Sequence, residues 1–262
     1  MLVYATRDAR FDIDPRIDPL LIRRKLIDEI IYSEHNVFLI RGYWGNGKSS
    51  IGAYLYHTAK KERTLNTTYI RIRVLFSATK FVSLLGLRRP NPQQTKSLLL
   101  NIAINSAFFK ELNPRAVLTT LVNNEAVSKN RIKETVLNSS DDHIIDVLKR
   151  LPKPYFIIFD EIEGIIYGRE QVEGIIKIVE LARRIYDEVG GTIKFIFLYP
   201  PSSQVLFGES IDSIITDVLQ TLSIDNPNID AAREGILRYP LEIRPLDKDC
   251  LLYTSPSPRD RG

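Results

Sequence analysis

Residues Gly42 to Ser49 read Gly-Tyr-Trp-Gly-Asn-Gly-Lys-Ser and follow directly on the apolar run Val37-Phe38-Leu39-Ile40. Few short patterns constrain a chain so tightly. In the spacing Gly-x-x-x-x-Gly-Lys-Ser, glycines let backbone N–H groups turn inward around a β-phosphate. Lys48 then reaches the β and γ oxygens, and the Ser49 hydroxyl ligates Mg²⁺. The segment from Ser50 to His57 continues as a helix, whose N-terminal partial charge points at the phosphates. The candidate nucleotide-binding residues are therefore Gly42, Trp44, Gly45, Asn46, Gly47, Lys48, Ser49 and Ser50. Trp44 either stacks on something bound nearby or shields the phosphates. The competing reading is a plain glycine-rich turn, which the flanking strand and helix argue against.

A second motif, Tyr155-Phe156-Ile157-Ile158-Phe159-Asp160-Glu161, follows Pro152 and Pro154. Five apolar residues closed by an acidic pair predict a buried parallel strand with carboxylates at its C-terminal edge. Ligands of open α/β sheets bind at that edge. Asp160 is then the candidate Mg²⁺ holder beside Ser49, and Glu161 the group that polarises an attacking water. Taken alone, an acidic residue after a strand also reads as a helix N-cap.

The pairing of these two motifs resembles the additional-strand P-loop ATPases, and the order of elements is most similar to the AAA+ superfamily. The resemblance covers roughly residues 20 to 249. Archaeal initiator-type ATPases and ATPases of prokaryotic phage-defence islands are both similar, and the residues do not separate them. The resemblance implies a P-loop three-layer α/β/α sandwich with a mainly parallel sheet and a helical insertion between the second and third strands. It implies ATP and Mg²⁺ as cofactors, hydrolysis by Lys48 and Glu161, and conformational work in a larger assembly. The alternative is an ATP-occupancy switch or regulatory binding module in DNA replication or phage defence, with little or no hydrolysis.

Other phosphate-binding classes fit less well. The chain has no Asn-Lys-x-Asp guanine motif and no Leu-Ser-Gly-Gly transporter signature, so ATP is the expected nucleotide. A small-molecule kinase is disfavoured because no acceptor-binding motif or arginine-rich lid is evident.

The family resemblance also implies a polar residue at the end of the strand Ile193 to Leu198 that senses the γ-phosphate. This chain has Tyr199-Pro200-Pro201-Ser202-Ser203 there, so either Tyr199 or Ser202 substitutes or the segment is a turn. Arg233 and Arg238 stand where the family carries an arginine that reaches a neighbouring subunit's ATP. A homo-oligomer would follow from that role; surface arginines on a solvated helix are the other reading.

The 262 residues, 44% hydrophobic and 26% charged, suit a globular α/β domain. No apolar run approaches the ~18 residues that span a bilayer, and the first residues lack a basic, then apolar, leader. A cytoplasmic protein without a membrane partner is expected. Residues Cys250 to Asp260 read Cys-Leu-Leu-Tyr-Thr-Ser-Pro-Ser-Pro-Arg-Asp, the in-frame translation of a transposase sequencing adapter, so native sequence is expected to end near Asp249. Residues 1–36 are then a lead segment, 37–249 an ATPase core without its lid, and 250–262 a non-native tail. Cys250 is the single cysteine, so disulfide and thiol chemistry are not expected. Without Arg259, Arg261 and Asp260, the 36 basic and 32 acidic residues become 34 and 31, a net charge of +3. That is too mild to establish a nucleic-acid partner, and DNA stands only as a candidate.

Helical spacing predicts a lead helix over 19–33, and the helix after the loop runs to about Arg63. Strands are expected at 37–41, 67–75, 155–159, 193–198 and 241–243, with helices at 95–112, 114–122, 141–151 and 171–188. His35, His57 and His143 have no metal-ligand spacing. Arg88-Arg89 and Arg183-Arg184 read as solvated pairs or phosphate contacts.

Overall fold

The computed structural model describes residues 27–42, 48–62, 65–72, 90–108, 140–164, 166, 168–200, 210, 213–214 and 240–243. Five parallel strands form one sheet: β1 (Val37–Gly42), β2 (Asn66–Arg71), β3 (Tyr155–Asp160), β4 (Ile193–Tyr199) and β5 (Pro240–Ile243). Their order across the sheet is β2-β3-β4-β1-β5. The helical segments are α1 (residues 27–32), α2 (Lys48–Glu62), α3 (Pro92–Phe108), α4 (Asp141–Lys149) and α5 (Arg169–Val189). The expected α/β class with a parallel sheet is therefore observed.

Alternation along the strands builds two apolar layers. Phe38 and Ile40 of β1, Phe156 and Ile158 of β3 and Ile196 and Leu198 of β4 pack with Ile27 and Ile30 of α1 and Ile51 and Leu55 of α2. Val37, Leu39, Ile157, Phe159, Phe195 and Phe197 face the other way, against α3, α4 and α5. Phe159 and Phe197 stack there at 5.1 Å between ring centres. Helices cover both faces, as the hydrophobic strand runs require.

Helix α5 begins two residues earlier and ends one residue later than its periodicity predicts. It buries Val172, Ile175, Val179, Ala182 and Ile185. At Gly174 it approaches α3 so closely that a Cβ would lie 2.4 Å from the Cβ of Thr95.

Three expected boundaries are corrected. Helix α4 ends at Lys149, not Leu151, with Arg150 as its C-cap. Helix α3 starts at Pro92, not Thr95, because Asn91 and Gln94 cap it reciprocally: Gln94 N donates to Asn91 Oδ1 at 2.8 Å and Asn91 N to Gln94 Oε1 at 3.1 Å. Pro92 occupies the first helical position, where a missing N–H costs nothing. Strand β2 stops at Arg71, short of Leu75, with Ile72 already helical. Arg71 is in register with Asp160, the last residue of β3, so nothing lies beyond it to pair with. The expected helix over 114–122 lies outside the described residues.

Candidate nucleotide site

The C-terminal edge of the sheet gathers the ends of β1, β2 and β3 beside the first turn of α2. Period-two alternation sends Tyr69 and Arg71 of β2 and Asp160 of β3 to the face covered by α2, because Tyr69, Phe156 and Ile158 belong to that layer. Helix α2 can lie this close only because residue 52 is glycine. A Cβ there would sit 2.7 Å from the Tyr69 ring and 2.9 Å from Leu198 Cδ1.

Asp160 is the hub. It is 1% exposed, with the side chains of Tyr69 and Ser49 beside its carboxyl. The Tyr69 hydroxyl donates to Asp160 Oδ2, and the Glu161 amide donates to Oδ1 at 2.9 Å. Burial pushes the Asp160 carboxyl above its ordinary value, while the Tyr69 and Ser49 side chains pull it back. Lys48, also buried, donates from Nζ to the Gly42 carbonyl at 2.5 Å. Burial lowers the lysine's pKa, and the charges of Glu163 and Asp160 oppose that shift.

Glu161 leaves the strand with φ 58°, a left-handed conformation uncommon for a side chain of its size. Its carboxylate is gripped at both oxygens by Arg71: Nε donates to Oε2 and an Nη to Oε1, each at 3.3 Å. One turn of 3₁₀ helix, Ile162–Gly164, follows and is closed by Gly164 N donating to Glu161 O at 2.9 Å. That turn brings Glu163 back into the electrostatic neighbourhood of Lys48, Asp160 and Glu161. Burial raises the Glu163 carboxyl to about 7, with the two acidic neighbours adding and Lys48 opposing. Among the described residues its Oε2 has no hydrogen-bond partner.

Gly42, Lys48, Ser49, Asp160 and Glu161 thus converge on one edge. Ser50 lies in α2, while Trp44, Gly45, Asn46, Gly47, Ser202, Arg233 and Arg238 fall outside the described residues. Tyr199 is buried in the layer on the opposite face from α2, away from Lys48 and Asp160. Arg183 pairs with Asp187 at 3.5 Å and Arg184 with Asp142 at 2.8 Å, which favours their reading as solvated surface charges. Tyr69, Arg71, Gly52 and Glu163 are the site residues that motif reasoning missed. Only Glu163 left a local signal, the spacing Asp-x-x-Glu-Gly.

Among the described residues, no group of three or more His, Cys, Asp or Glu side chains is placed to hold a metal ion. Mg²⁺ at a nucleotide does not need such a cage, since it takes one or two protein oxygens and completes its shell with phosphate and water. Ser49 and Asp160, two oxygen ligands brought together at the sheet edge, fit that requirement. No described helix is long and apolar enough to cross a membrane.

No protein-family model matches the chain, and no curated protein matches it. Among solved structures, the Aeropyrum pernix ORC1 protein in complex with DNA is similar at 17% identity and a TM-score of 0.37. The alignment covers 92% of this chain and 59% of that one, so the present chain spans well under two thirds of its length. A likeness this weak carries no functional argument.

Proposed function

We propose that this chain binds ATP and hydrolyses it with Mg²⁺, as the core of an additional-strand P-loop ATPase of AAA+ type whose turnover drives conformational change in a larger assembly. The observation that carries this reading is the convergence of Lys48, Ser49 and Asp160 at one sheet edge, where the Ser49 side chain stabilises the charged Asp160 carboxyl. Two residues named independently, by two motifs far apart in sequence, meet at one sheet edge with Lys48 beside them. The strand order adds support: β4 lies between the loop-bearing strand β1 and the acid-bearing strand β3, as an additional-strand ATPase requires.

Each residue then has a separate task. Lys48 exchanges its bond to the Gly42 carbonyl for the β and γ phosphate oxygens, and the amides of 42–49 cradle the β-phosphate. Ser49 and Asp160 hold the cation. Bound Mg²⁺ supplies Lewis-acid stabilisation of charge on the transferring phosphoryl group. Glu161 orients and polarises the attacking water. Arg233 and Arg238 are proposed to complete a neighbouring subunit's site, which would make turnover rise with protein concentration. DNA remains a candidate partner of that assembly.

A second reading, ATP occupancy without turnover, is favoured by one observation: Arg71 holds both oxygens of Glu161. The experiment that tests the proposal is ATP binding by the wild type and by Lys48→Ala, followed by release of free phosphate. Wild-type binding that Lys48→Ala abolishes, with the fold intact, supports the nucleotide site. Unchanged affinity in Lys48→Ala removes it. Binding without phosphate release at any protein concentration selects the occupancy reading.

A further inference from the structure

Strand β2 contributes two residues to the site, and neither belongs to a recognised motif. Tyr69 and Arg71 share a face of the strand, and each holds one member of the acidic pair: Tyr69 takes Asp160 and Arg71 takes Glu161. The two donors differ in kind. Arg71 is a cation that forms an ion pair at the sheet edge, with side-chain exposures of 23% and 14% for the two partners. Tyr69 is a neutral phenol, 6% exposed, on a carboxylate that is 1% exposed.

We propose that Tyr69 is the positioning residue of Asp160, fixing one carboxylate oxygen by a neutral hydrogen bond so that the charge and remaining lone pairs stay available to a divalent cation. This rests on the nucleotide-site reading above. A cationic donor in the same place would orient the carboxylate equally well but would cancel the charge that attracts the metal. A phenol orients without cancelling. The ring is itself held in place, since the bare Cα of Gly52 makes room for it against α2, the helix that carries Lys48 and Ser49. Both sides of the cation site are thereby referred to one helix: Ser49 belongs to it, and Asp160 is tied to it through Tyr69.

The test separates magnesium dependence from nucleotide binding. ATP affinity is measured for wild type and Tyr69→Phe with Mg²⁺ and with EDTA, and the ratio of the two affinities is compared. Tyr69→Phe should reduce that ratio about tenfold, the scale of one hydrogen bond to a charged group, and leave the EDTA affinity within about twofold. In an Asp160→Asn background the same substitution should have no further effect on the ratio, because its route of action is gone. An equal loss with and without Mg²⁺, or an undiminished effect in the Asp160→Asn background, would overturn the proposal.

A measurement on the wild type covers the case in which Tyr69→Phe does not fold. With tyrosine labelled at ¹³Cζ, the Tyr69 resonance should shift when Mg²⁺ and ATP are added together and stay still with ATP in EDTA. A resonance indifferent to Mg²⁺ contradicts the proposal. Wild-type protein that binds no ATP under either condition would sink the underlying reading instead, whereas binding with a magnesium dependence untouched at Tyr69 sinks this inference alone.

Discussion

Ser49 in the first turn of α2 stabilises the charged carboxyl of Asp160 at the end of β3, although β4 lies between β1, which leads to α2, and β3. Under the proposed function the acidic pair divides by task. Asp160 faces α2, while Glu161 leaves the strand at φ 58° and is held by Arg71. Asp160→Asn should therefore weaken ATP binding in Mg²⁺ by about tenfold or more and change it little in EDTA. Glu161→Gln should keep binding and lose turnover by about 10²-fold. Equal losses of affinity in the two variants would show that the carboxylates do not have separate roles.

Arg71 occupies both oxygens that Glu161 would use to orient water. A half-buried ion pair of this kind is worth ~1 kcal/mol, which corresponds to about fivefold in rate. Arg71→Ala should accordingly raise turnover by about fivefold while ATP affinity stays within about twofold. Steady-state kinetics decides this. A fall toward the level of Glu161→Gln would mean that Arg71 holds the carboxylate in its working position.

Glu163 supplies a pH signature. Its carboxyl is raised from 4.5 to about 7 by burial, so between those values the folded chain holds a proton that the unfolded chain has released. Stability from this group is complete below about 4.5 and is lost as pH rises toward 7. Thermal melts across that window should show wild type losing Tm relative to Glu163→Gln, whose amide does not titrate. Parallel curves for the two proteins would rule out the buried setting of this carboxylate.

Gly52→Ala tests the closeness of α2 to the sheet. Overpacking costs about 1–3 kcal/mol, and the better helix propensity of alanine returns up to ~1 kcal/mol of it. The net should be a Tm lower by a few degrees for a chain of this size. A melting curve that is unchanged or shifted upward would mean that the helix has room the geometry denies it.

The sequence makes β1, α2 and β3 legible because each is bounded by strong signals: an apolar run into glycines for the first, an apolar run into carboxylates for the last. Layering follows from the same runs, since strands apolar on both faces need helices over both. Tyr69 and Arg71 carry no such mark. They read as ordinary strand residues until the parallel register sets Tyr69 opposite Ile158 and Arg71 opposite Asp160, a pairing between distant segments that no local pattern encodes. Glu163 is marked only by the spacing Asp-x-x-Glu-Gly, and its return to the site depends on the left-handed step at Glu161, which that spacing does not encode. Pro92 stands outside the helix expected over 95–112 because proline commonly marks a helix boundary. It looks like a boundary to avoid, whereas Asn91 and Gln94 make it the first residue of α3.

The strand order also governs when the site can exist. Both neighbours of β1 come later in the chain than every other strand: Val37 pairs with Phe195, and Leu39 with Pro240. A ribosome adding about 5–20 residues per second would expose the loop strand many seconds before either neighbour emerges. Through that interval its backbone N–H and C=O groups lack a ladder, and Phe38 and Ile40 lack the β4 side of their layer. The edge that gathers Lys48 and Asp160 therefore forms late, because β1 is joined to β3 only through β4, which ends at Tyr199.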